Sequence, residues 1–165
     1  VGRFEFPYMA RSRAEGRRRP PDPQPRLQEA WRQAVAEADI AGRHLLVAGK
    51  SLGGRMAATI ADEVGAAGLV ALGYPFHPRG KPERTRLAPL QSLRVPALVV
   101  QGERDPLGSH GEVCSYRLPA SIHLCWAPDG DHDLTPRKRS GRDAAANQAL
   151  AWAAVAEFAD WLAGD

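Results

Sequence analysis

Four short stretches of this chain are apolar with almost no polar interruption: residues 45–48, 68–73 (GLVALG), 97–101 (ALVVQ) and 122–126. Runs of that length without alternation predict strands covered on both faces, as in a parallel sheet. Between them the spacing turns helical. Leu27, Trp31, Val35 and Ala38 recur at intervals of four, four and three, predicting a helix from Arg26 that Gly42 closes. Met56, Ala57, Ile60, Ala61 and Val64 predict a second helix, ended by Gly65, and residues 111–117 a short one. A terminal helix over 144–162 carries Leu150, Val155, Phe158 and Leu162 in a stripe, with Trp152 and Trp161 nearby. Strands alternating with helices imply βαβ units joined by right-handed crossovers. The expected class is α/β, a mostly parallel sheet with helices on both faces, built as one domain over residues 1–165.

Residues 1–6, VGRFEF, alternate like a strand that opens without a preceding turn or cap, so structure is expected upstream of it. Pro7 ends that strand, an arginine-rich stretch follows, and the prolines of residues 20–25 predict a surface loop. Residues 74–84 and 128–142 are loops by their prolines, glycines and polar residues.

One junction carries a chemical signal. Gly49-Lys50-Ser51-Leu52-Gly53 lies between an apolar strand and a helical sequence, the pattern of a G-x-S-x-G elbow that holds a serine hydroxyl out of the sheet on a strained turn. Gly49 and Gly53 are expected because strand and helix backbones approach too closely there for a Cβ. The same letters end a phosphate-binding P-loop, but that motif needs a glycine where His44 stands, and residues 45–48 supply no glycine-rich cradle. Ser51 is the candidate nucleophile. An alcohol needs a base, and the base needs a group that fixes its tautomer. Among five histidines, His132 alone combines a loop after the last strand with a polar setting, DGDHD. Asp105, in QGERDP, follows the third strand and is the candidate acid, with Glu103 as the alternative. Functional groups of such sheets gather beyond the strands' carboxyl ends, which places all three on one edge.

Composition narrows the setting. A chain of 165 residues, 44% hydrophobic and 25% charged, suits a soluble domain, and no apolar run reaches the length of a membrane span. Nothing at the start reads as a signal peptide, and Cys114 and Cys125 lack metal-ligand spacing, so the expectation is the cytoplasm, free thiols, and neither metal nor cofactor. The net charge of +3 comes from two arginine-rich patches, residues 11–19 and 137–142. Without interleaved aromatics these do not predict nucleic-acid binding; they favour an anionic small-molecule substrate. Oligomeric state is not fixed by the sequence.

The segments FEFPYM, GKSLGGRMA, LGYPFHPRGKPERTR, QGERDP, DGDH and PRKRSGR together resemble the α/β-hydrolase superfamily, in particular its dienelactone-hydrolase-like branch, which includes small bacterial hydrolases and the testis-expressed protein 30 / NSL-complex subunit 3 group. The resemblance implies a serine hydrolase acting on an ester or related acyl bond, with Ser51, Asp105 and His132 as nucleophile, acid and histidine, and the Leu52 backbone amide donating to the oxyanion. It also implies a second oxyanion amide from a loop near a His-Gly pair, and no His-Gly pair precedes the elbow. The chain is therefore expected to begin downstream of that loop, without the fold's first strands and with an unpaired sheet edge. Loss of one oxyanion donor implies a rate lower by about 10²- to 10³-fold. The alternative is a catalytically weak or inactive hydrolase-fold interaction module whose basic patches bind a protein partner.

Overall fold

The computed structural model describes residues 1–38, 40 and 43–164. Two compact units are present, residues 1–43 and 44–165.

The first unit holds helices α1, Pro7–Ala14, and α2, Gln24–Glu37. Residues 1–6 are not a strand. No strand occurs among the described residues of this unit, so their backbone has no ladder to join here, and the Phe4/Phe6 alternation serves ring packing instead. Phe4 meets Trp31 edge-on at 4.6 Å and Phe6 at 5.6 Å, and Phe6 is buried. Pro7 starts a helix rather than merely stopping a strand, because its fixed φ and missing N–H suit a helix's first turn. Pro25 does the same for α2, which begins two residues before the predicted start and shortens the proline loop. Leu27, Ala30 and Trp31 are buried on α2, while Val35 is half-buried and Ala38, the C-cap, is exposed. Gly42, the predicted terminator, lies outside the described residues.

The second unit runs β1 (Leu46–Lys50), α3 (Leu52–Ala57), β2 (Gly68–Leu72), α4 (Ala88–Gln91), β3 (Ala97–Gly102), α5 (His110–Val113), β4 (Ile122–Ala127), a 3-10 turn (Lys138–Ser140) and α6 (Ala144–Ala163). The strands pair in parallel in the order β1-β2-β3-β4. Every residue of β3 is buried, as its unbroken apolar run predicts for a strand inside the sheet. Side chains alternate between faces along a strand. Val70, Leu98 and Val100 form one face and pack with Ala151 and Phe158 of α6. Ala71 points to the opposite face, where α3 lies against it. Helices therefore cover both faces.

Three local differences from the sequence expectation have physical causes. The stripe of Met56, Ala57, Ile60 and Ala61 is buried as expected, but the α-helix stops at Ala57. There the Thr59 hydroxyl competes for the Met56 carbonyl at 2.6 Å, and the backbone bonds begin to mix three- and four-residue spacing. Helix α4, absent from the periodicity, is one turn anchored by the buried Leu90. Helix α5 is only His110–Val113, held by a Ser109/Glu112 capping box. Among the described residues no helix is long and apolar enough to cross a membrane.

Phe158 closes the α6 face of the core, so Phe158→Ala is expected to destabilise the protein by about 3 kcal/mol. Urea unfolding measures this, and a loss below about 1 kcal/mol would show that α6 is not a principal support of the sheet.

Candidate active site

Strand β1 delivers the chain into a turn at Ser51 whose φ of 50° and ψ of −116° lie where L-residues are rarely found. Such a conformation costs on the order of 1–3 kcal/mol and persists only when its surroundings fix it. Ser51 is fixed from both sides. Its N–H donates to the Leu72 carbonyl at 2.9 Å and its carbonyl accepts from the Arg55 N–H at 3.0 Å, pinning it between β2 and α3. That amide is thus engaged within the sheet, unlike the amides of a phosphate cradle.

The expectation for the elbow glycines needs one correction. A Cβ on Gly49 would sit 2.5 Å from the Gly54 nitrogen, so Gly49 must be bare. Gly53 faces open space. The second position that forbids a side chain is Gly54, where a Cβ would lie 2.7 Å from the Gly49 oxygen and 3.0 Å from the Ala71 Cβ.

Asp105 occupies the turn after β3 and is fully buried. One carboxylate oxygen accepts from the Leu107 N–H at 2.8 Å, and the other from Gln101 Nε2 at 2.9 Å and His132 Nδ1 at 2.8 Å. Gln101 Nε2 also reaches the Tyr74 and Gly108 carbonyls, at 3.2 and 3.1 Å. All three neighbours are acceptors, which fixes the amide orientation and leaves Oε1 buried without a partner. The alternative acid, Glu103, is used elsewhere: its carboxylate accepts from the Asp129 N–H at 2.7 Å.

His132 lies in the loop after β4, a quarter exposed, with Nε2 2.8 Å from Ser51 Oγ. Close backbone approach brings it there. A Cβ on Gly73, whose φ is +63°, would lie 2.8 Å from the His132 oxygen, and one on Gly102 would lie 2.5 Å from the Gly130 oxygen. Asp131 ties the loop to itself through the Asp133 and Thr135 amides, at 2.9 and 3.0 Å. Arg137 and Arg104 both pair with Asp129, and the Arg137 hydrogen bond above all holds that carboxyl well below its ordinary 3.8. The buried Asn147 of α6 donates to the Pro128 and Leu134 carbonyls at 3.0 and 2.8 Å and accepts from Arg142 at 2.7 Å. Lys50 pairs with Asp133, which lowers the pKa of that carboxyl, and donates to the His132 carbonyl at 3.2 Å.

The structure therefore brings Ser51, His132 and Asp105 together in one hydrogen-bonded line. Leu52 stands at the first position of α3, where an amide has no acceptor within the helix. Gln101, Asn147 and Gly54 were not singled out from the sequence. Gln101 shows there only as a polar residue ending an apolar run. Asn147 is a polar residue in register with the buried Ala151 and Phe158, which is a legible sign of a bracing role. A cavity of about 250 Å³ flanks His132, walled by Leu72, Leu134, Ala151 and Trp152 with Lys50 and Asp133. Part of the charge in the arginine patches is matched by carboxylates: Arg11 pairs with Asp22, Arg13 with Glu5, Arg17 and Arg19 with Glu15, and Arg137 with Asp129.

Residues 1–160 match the alpha/beta hydrolase domain family. The chain belongs to that family. Solved structures similar to this alpha/beta hydrolase chain include an alpha-beta serine hydrolase homologue from Coxiella burnetii, at 18% identity and a TM-score of 0.55 over 82% of this chain and 62% of that one. An a/b serine hydrolase without lid from Xanthomonas campestris gives 23% and 0.56, over 81% and 57%. The esterase domain of a Rhodothermus marinus protein gives 20% and 0.51, over 79% and 67%. At such identities the likeness is one of fold, a mostly parallel sheet with helices, and the chain spans under two thirds of the first two structures. No curated protein sequence matches it.

The elbow sterics separate two glycines of this hydrolase-family chain. Gly54→Ala is expected to lower stability by about 2 kcal/mol or more, and Gly53→Ala to change it by less than about 0.5 kcal/mol. Denaturant midpoints measure both, and equal losses would contradict the assignment of the close approach to Gly54.

Proposed function

We propose that this chain is a serine hydrolase acting on an ester or related acyl bond, with Ser51 as nucleophile, His132 as general base and acid, and Asp105 as the group that orients the imidazole. The observation that carries this reading is the pair of 2.8 Å hydrogen bonds in series, Ser51 Oγ to His132 Nε2 and His132 Nδ1 to Asp105 Oδ2. A carboxylate on Nδ1 fixes the proton there and leaves the Nε2 lone pair facing the serine hydroxyl, the arrangement a general base requires.

Ser51 Oγ attacks the acyl carbon as its proton passes to His132 Nε2. The carbonyl π electrons move onto oxygen, where the Leu52 amide donates. Collapse of this intermediate breaks the bond to the leaving alcohol, which takes the proton from Nε2. Water then attacks the acyl-serine by the same route and releases the acid. Asp105 holds the imidazole in place and stabilises the imidazolium. The cavity beside His132, with its leucine, alanine and tryptophan walls, suits an apolar portion of a small substrate. Cys114 and Cys125 are both unpaired, which supports a reducing compartment, and we place the protein in the cytoplasm.

Hydrolysis of p-nitrophenyl acetate tests the roles. Ser51→Ala and His132→Ala are each expected to lower kcat/KM by about 10³-fold or more, with the double variant no worse than either alone, because the residues act as a unit. A Ser51→Ala protein within tenfold of the unaltered chain would overturn the reading and favour a hydrolase-fold interaction module.

A further inference from the structure

Strand β3 is apolar until its last side chain. Gln101 stands there, fully buried, where the run of the strand calls for another aliphatic residue. A buried amide destabilises a fold unless both of its ends are hydrogen-bonded. Gln101 meets that demand at one end only. Its Nε2 lies 2.9 Å from Asp105 Oδ2, 3.1 Å from the Gly108 carbonyl and 3.2 Å from the Tyr74 carbonyl, whereas Oε1 is buried without a partner. Two N–H groups thus serve three acceptors, and the shortest contact is to the carboxylate.

The oxygen that Gln101 takes is the one His132 uses. Asp105 Oδ2 accepts from both Gln101 Nε2 and His132 Nδ1, while Oδ1 accepts from the Leu107 N–H. Among the described residues no Lys or Arg pairs with this carboxylate. Its charge is met by N–H dipoles and by the imidazole. A carboxylate can turn about its Cβ–Cγ bond, but two donors on one oxygen and a third on the other set its plane, so that Oδ2 keeps a lone pair aimed at Nδ1. An N–H donated to the charged form also spreads its charge. The imidazole then faces a weaker pull than a carboxylate with one donor fewer would exert. An apolar side chain at position 101 would pack in the strand and supply neither effect, which gives the unsatisfied Oε1 a reason to be tolerated.

We propose that Gln101 is a positioning residue for the Ser51–His132–Asp105 line: its amide locks the Asp105 carboxylate in the orientation that holds the imidazole against Ser51, and limits the charge that Nδ1 meets. This rests on the hydrolase reading above and deepens it.

Gln101→Met keeps the length of the side chain and removes the donor. Asp105 is then expected to turn with the imidazole instead of anchoring it, its charge concentrated on one side-chain N–H. With p-nitrophenyl acetate, kcat is expected to fall by about tenfold and KM to stay within about twofold, as loss of a charge-assisted hydrogen bond that matters in the transition state implies. The acid limb of the kcat/KM profile, where the imidazole gains its proton, is expected to move to higher pH, because a carboxylate relieved of one donor stabilises the imidazolium more. Lys50 of β1 and Asp131 and Asp133 of the His132 loop, the other charged groups around this imidazole, are left in place by the substitution. Gln101→Glu donates to Asp105 only while protonated, so its activity is expected to decline at higher pH, where the unaltered chain holds its plateau.

One readout needs no turnover. The proton resonance of His132 Nδ1, identified by its absence in His132→Ala, is expected to move downfield in Gln101→Met as that hydrogen bond shortens. Thermal melting checks that each variant is folded. The downfield move in a chain that hydrolyses no ester supports the positioning role, and the hydrolase reading alone fails. A folded Gln101→Met protein whose acid limb and Nδ1 resonance both stay in place would overturn the proposal even if kcat drops, and leaves hydrolysis at Ser51 intact. Should Gln101→Met not fold, a Gln101→Glu protein with the pH profile of the unaltered chain would overturn it.

Discussion

The fixed point of this structure is a carboxylate with no exposed surface. Asp105 accepts hydrogen bonds from the Leu107 amide, Gln101 and His132, and each partner belongs to a different piece of the architecture: the turn itself, the end of β3, and the loop after β4. A buried carboxylate left unpaired is among the costlier defects a protein can hold. The need to satisfy Asp105 therefore constrains where the His132 loop docks, and that docking in turn sets the distance from imidazole to serine. Glu103, Arg104, Arg137 and Asn147 hold the same loop from its other sides. The precision of the Ser51–His132 contact comes from this bracing, since a loop histidine alone would sample many orientations.

Steric closeness supplies the second constraint. Wherever two segments of the site meet, a glycine allows the approach: Gly49 and Gly54 where β1 meets α3, Gly73 beneath His132, and Gly102 beneath residues 130–131. The parallel sheet makes these meetings possible, because β1, β2, β3 and β4 all end on the same edge. Strain at Ser51 is stored there and held by the Leu72 and Arg55 backbone bonds.

Much of this was legible in the sequence because it rests on local rules. Unbroken apolar runs marked the four strands, and strand-end positions marked Ser51, Asp105 and His132. What escaped depends on three dimensions. Gly53 and Gly54 look equivalent in the chain, and only the path of the helix across Ala71 separates them. Residues 1–6 alternate like a strand, but pairing requires a neighbour that alternation cannot report, and the aromatic rings pack with Trp31 instead. The arginine-rich patches suggested an anion site by count alone. In the structure Arg11, Arg13, Arg17, Arg19 and Arg137 of those patches are already paired with carboxylates, which the sequence alone could not report.

In the proposed function Asp105, through His132, makes the Ser51 hydroxyl a nucleophile. Treatment of the folded chain with a fluorophosphonate, followed by proteolysis and mass spectrometry, addresses it at a single atom. One adduct is expected, on the peptide containing Ser51, that forms in the unaltered chain and is lost in a folded His132→Ala protein. Labelling of another serine, or of Ser51 at an equal rate without His132, would contradict it.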